Sequence, residues 1–77
     1  MPHFYLNVCD DQYRHMDPYG YEFASLKQAR DAAVRVAREV VADDGLDAAA
    51  LDRKRIEIAD ADGHTLATVP VLEVLSH

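Results

Sequence analysis

Phe4, Leu6 and Val8 alternate with His3, Tyr5, Asn7 and Cys9 near the start of the chain. A period of two, rich in aromatic and β-branched residues, predicts a strand with one apolar face. Asp10-Asp11 ends it, because aspartate is a poor strand former. Asp17-Pro18-Tyr19-Gly20 carries type I turn chemistry, with Pro after the first position and Gly at the fourth. Tyr21-Glu22-Phe23 then predicts a short second strand that pairs back on the first.

The pattern changes at Ser25. Ser25-Leu26-Lys27-Gln28 matches a capping box, with Ser25 accepting from the Gln28 amide and the Gln28 side chain reaching back. Beyond it Leu26, Ala29, Ala33, Val36, Ala37, Val40 and Val41 fall on one side of a 3.6-residue repeat. Lys27, Gln28, Asp31, Arg35, Arg38 and Glu39 fall on the other, with Asp31 and Arg35 at i,i+4. This predicts a helix from about Leu26 to Asp43, stopped by Gly45 and centred on Val36 and Val40. Its three alanines let it lie close on a sheet. Asp47 to Leu51 is Ala-rich and predicts one loose turn capped by Asp47.

Arg55 to Asp60 and His64 to Val69 bracket Ala61-Asp62-Gly63 and predict a hairpin. A two-residue loop would set Ile58 opposite Ala67. A three-residue loop with Gly63 left-handed would set Ile58 opposite Leu66 and Asp60 opposite His64. The second matches apolar with apolar and is preferred. Pro70 ends the strand because it cannot donate to a ladder. Val71 to Leu75 reads as a short helical tail over one edge of the core. The expected fold is α+β: a four-stranded, mainly antiparallel sheet (β-β-α-β-β) with one amphipathic helix on one face. Residues 1–77 are read as a single domain.

Composition narrows the function. The chain has 8 Lys+Arg against 14 Asp+Glu, a net of −6, which argues against nucleic acid as the main partner. One cysteine cannot build an internal disulfide framework, and no apolar run is long enough for a membrane span. No basic stretch precedes the first apolar residues, so no secretory signal is expected. The expectation is a cytoplasmic protein.

Several segments taken in order carry a likeness. These are Pro2-x-Phe4-x-Leu6-x-Val8-x-Asp10, Asp17-x-x-Gly20-x-Glu22, Leu26-x-x-Ala29-x-x-x-Ala33 and Leu51-x-x-x-Arg55-x-Glu57-Ile58. The Asp62-Gly63 turn and Leu66-x-x-Val69-Pro70 complete the set. Together they resemble a family of small bacterial proteins, about this length, whose function is unknown. The family pattern has a Gly where this chain has Asp11. The resemblance implies a fold and no activity. Two strands, an acidic turn and an Ala-rich helix are also similar, in architecture, to HicB-type antitoxin domains.

Candidate chemistry is thin. His3 and Cys9 are six residues apart in an extended strand, roughly 20 Å, and cannot share one metal ion. Asp60-Ala61-Asp62-Gly63 lacks the closing Glu of a calcium loop and reads as a turn. Cys9 lies beside acidic residues, which disfavours a thiolate nucleophile. No enzyme activity, cofactor or bound metal is expected. Lys27, Arg30, Arg35 and Arg38 read as a solvated helix face.

All four tyrosines lie within the first 21 residues. A single helix covers one sheet face, leaving Tyr5, Tyr21 and Glu57 for the other. Tyrosine is enriched at interface cores. Tyr5, Tyr19, Tyr21 and Glu57 are therefore the candidate interface residues, and a homodimer through the open face is the expected association. The alternative is an antitoxin-like regulator that binds a small basic protein.

Overall fold

The computed structural model describes residues 2–44 and 48–76. Gly45 and Asp47, read as helix stop and cap, lie outside the described residues. The strands are β1 (His3–Cys9), β2 (Arg14–His15), β3 (Tyr21–Glu22), β4 (Arg55–Ala59) and β5 (Thr65–Pro70). The helices are α1 (Leu26–Asp44), the short α2 (Ala48–Leu51) and a 3₁₀ helix, Val71–Ser76. The expected α+β fold is present, with the two-residue β2 as an addition.

The sheet is antiparallel in the order β2-β1-β4-β5, and β3 pairs with β1 beside β2. β1 and β4 are central, with Leu6 opposite Ile58 and Val8 opposite Ile56. These residues face α1. Ala29, Ala33 and Ala37 have no exposed surface, so the alanine row takes the middle of the contact. Val36 and Val40, expected at the centre of the stripe, flank it half-buried. A methyl-lined helix face approaches a sheet more closely than a valine-lined one. Leu51, Val69, Val71 and Val74 close the core.

α1 begins as the cap predicts. Ser25 Oγ accepts from the Gln28 amide at 3.3 Å, and Gln28 Oε1 accepts from the Ala24 amide at 2.9 Å. Asp31 pairs back to Lys27 at 3.2 Å instead of forward to Arg35.

The hairpin combines both registers. Asp60 N donates to His64 O at 2.9 Å and Gly63 has φ +88°, as a three-residue loop requires. A bulge between Ile58 and Ala59 then shifts the ladder, so Ile58 lies opposite Ala67 and Ala59 opposite Thr65. Leu66, expected opposite Ile58, becomes the extra residue and is exposed.

Tyr21 also departs from expectation. It pairs with Phe4, not Tyr5, and so shares the helix-side face, with the Phe23 ring 5.9 Å away.

Gly20 has φ +70°, and a Cβ there would lie 2.6 Å from His3 Nε2 and 2.9 Å from Phe4 O. A Cβ on Gly63 would meet nothing within 4 Å. Gly63→Ala is expected to cost about 1 kcal/mol from backbone strain alone, and Gly20→Ala roughly twice that or more. Equal losses in denaturant titrations would contradict this packing.

Candidate functional site

The face of β1 and β4 away from α1 carries Tyr5, Asn7, Cys9, Arg55, Glu57 and Ala59. It was expected to lie open. The segment Asp10–Gly20 crosses it as a strap, leaving Cys9 with no exposed surface, Asn7 with 1% and Glu57 with 8%.

Two aspartates fix the strap. Asp10 Oδ1 accepts from the amides of Gln12 at 2.7 Å and Tyr13 at 3.0 Å, which turns the chain back as β2. Asp17 Oδ1 accepts from Tyr19 N at 3.1 Å and Gly20 N at 3.0 Å, and its Oδ2 accepts from Leu6 N at 3.2 Å. The Asp17 amide donates to Asn7 Oδ1 at 2.9 Å. This bond fixes the orientation of the Asn7 amide, whose Nδ2 is buried with no partner among the described residues.

Glu57 sits opposite Asn7. Its Oε1 accepts from Arg14 Nη2 at 2.7 Å and its Oε2 from Arg55 Nε at 2.9 Å. Two guanidiniums compensate a carboxylate that would be costly to bury alone. Burial pushes the Cys9 thiol above the ordinary range, and the Glu57 charge adds to this, while Arg14 and Arg55 act in the opposite direction. The thiol donates to Asn7 O at 3.7 Å. A protonated, enclosed thiol is a poor nucleophile.

Asp60, Asp62 and His64 offer potential ligand atoms within 4.8 Å of one another at the β4–β5 turn. Asp60 Oδ1 already accepts from the amides of Asp62 and His64, each at 2.9 Å. Those amides, His64 first, hold the Asp60 carboxyl below its usual range. The group fits a turn-closing role.

The model of a family described as a domain of unknown function (DUF6894) matches residues 3–73. The chain belongs to this family. No curated protein and no solved structure matches the DUF6894 chain.

The four interface candidates of this DUF6894 domain do not share one face. Glu57 lies under the strap, Tyr5 is half-buried with its ring 5.1 Å from His3, and Tyr21 is exposed on the helix side. Tyr19 is 84% exposed and its carbonyl accepts from His3 Nε2 at 2.8 Å. Arg14, Asp17, Asn7 and Arg55 were missed as a cluster. The available signal was the pairing of Asn7 and Glu57, two polar residues on central strands that call for a polar cover.

Asp17→Ala removes three accepted hydrogen bonds and is expected to cost about 2–4 kcal/mol. It should also expose Cys9 to a thiol reagent in native buffer; an unreactive Cys9 would mean that the strap has another anchor. The raised Cys9 thiol predicts a pH effect. A folded-state value above the unfolded one gives stability that is complete below the unfolded pKa. That stability is lost as pH rises through the folded value. The stability difference between the native chain and Cys9→Ala should therefore shrink above about pH 8.5. A difference independent of pH would refute it.

Proposed function

We propose that this chain is a non-catalytic interaction module of the cytoplasm that self-associates through its strap edge. The observation that carries the reading is where its exposed apolar side chains lie. Six large hydrophobic residues are exposed among the described residues, and Tyr13, Met16, Tyr19 and Tyr21 are four of them. β2 and β3 both pair with β1 on the side away from β4, so Tyr13, Tyr19 and Tyr21, in or beside these strands, flank that edge of the sheet, and Met16 follows β2 over the adjoining face near Tyr5 and Ala59. The hydrogen bonds of Asp10 and Asp17 hold most of this segment in place before any partner arrives, which lowers the ordering cost of binding. Tyrosines supply large contact area with few rotors. A two-fold pairing needs only this one surface. The proposal keeps Tyr19 and Tyr21 as interface residues and moves the contact from the sheet face to its edge.

The single thiol, buried and unbridged, fits a reducing compartment. No described helix is long and apolar enough to cross a membrane.

Light scattering across a dilution series tests the reading. The native chain is expected to scatter as a dimer near 100 µM, roughly the level at which weak interfaces fill. Tyr19→Arg with Tyr21→Arg should give a monomer with unchanged circular dichroism. A monomeric native chain at that concentration sinks the proposal. Stoichiometric co-purification of a small basic protein would instead favour the antitoxin-like regulator, which the net charge of −6 motivates.

A further inference from the structure

We propose that the groove between α1 and β5 docks an extended acidic segment of a protein partner, with an apolar residue at its centre. α1 sets Arg30, Val34 and Arg38 in one row, four residues apart. Val69 of β5 faces them, with Glu73 and Val74 of the 3₁₀ helix, around a cavity of about 170 Å³. A neighbouring depression shares Arg30 and Val34 and extends the groove past the Lys27–Asp31 ion pair to the exposed Leu26.

The charge of the groove selects the occupant. Ion pairs among the described residues use Arg14, Lys27, Arg55 and His64, and leave Arg30 and Arg38 without a carboxylate. Glu73 is the one acid lining the cavity, against two guanidiniums, in a chain whose net charge is −6. A carboxylate at each arginine complements that pattern.

Spacing defines the segment. Arg30 and Arg38 are eight residues apart, about 12 Å along a helix axis. An extended chain covers that in about four residues at ~3.3 Å each. The matching ligand has an acidic residue at each end of a five-residue stretch and a large apolar residue at its third position. That residue would cover Val34, Val69 and Val74.

Two other occupants fit less well. A second copy docked edge to edge would set the arginine row against itself, like charge on like. A nucleic acid strand would find no aromatic ring to stack on among these lining residues. The groove lies at the β5 edge, across the sheet from the strap, so it does not depend on self-association there.

The test is an NMR titration of methyl-labelled full chain with the peptide acetyl-Glu-Ser-Leu-Ser-Glu-amide. Saturable shifts of the Val34, Val69 and Val74 methyls are expected, with a Kd of about 0.1–1 mM. Arg30→Glu and Arg38→Glu, both at exposed positions, should each weaken binding about tenfold or more. Replacing both peptide glutamates by glutamine should do the same, and added salt should weaken the native complex. Unmoved valine methyls, equal binding of the glutamine peptide, or tighter binding of oligo-dT at the same methyls would each overturn the proposal.

Discussion

The Asp17 carboxylate accepts hydrogen bonds from Leu6, Tyr19 and Gly20, and the second face of the sheet depends on it. β1 is met by β2 at one end and by β3 at the other. Between them the Leu6 amide points out with no strand to receive it, and Asp17 takes the place of the missing ladder partner. With that bond made, the strap lies flat, Arg14 reaches Glu57, and Cys9 is enclosed. The other face is closed by simpler means, an alanine row set against Ile56 and Ile58. One layer is held by directional polar contacts and the other by close apolar packing.

The two long edges of the sheet are correspondingly different in character. The strap edge presents tyrosines on a pinned backbone. Beside the β5 edge, Val34, Val69 and Val74 line a groove between Arg30 and Arg38, which pair with no carboxylate among the described residues. An acidic chain thus keeps local positive charge beside an apolar groove.

Much of the fold was legible because local pattern and global packing agree. The period-two run of β1, the Ser25 cap and the apolar stripe of α1 each act within a few residues. Gly63 announced the turn, but not the bulge beyond it, since Ile58 meets Ala67 only after the whole ladder is aligned. The polar face was illegible for a related reason. Glu57 in an alternating strand reads as solvent-facing, and its burial requires Arg14, 43 residues away in the chain. Tyr21 went to the wrong face because its register against Phe4 is fixed by Asp17 and Gly20, not by its own neighbours.

The bulge and Pro70 have a joint consequence for how the molecule behaves when crowded. Val71 N donates to Lys54 O at 3.0 Å, so by the alternation of an antiparallel ladder Val69 and Ala67 turn their backbone groups towards β4. Thr68 turns its groups outward, and the next outward position is Pro70, which has no N–H to offer. On the other side the bulge at Leu66 bends the strand away from a straight ladder. The free rim of β5 is therefore about one residue long in hydrogen-bonding terms, too short to seed the stacking of chain upon chain that builds fibrils. The edge can receive side chains into its groove while refusing to template another strand.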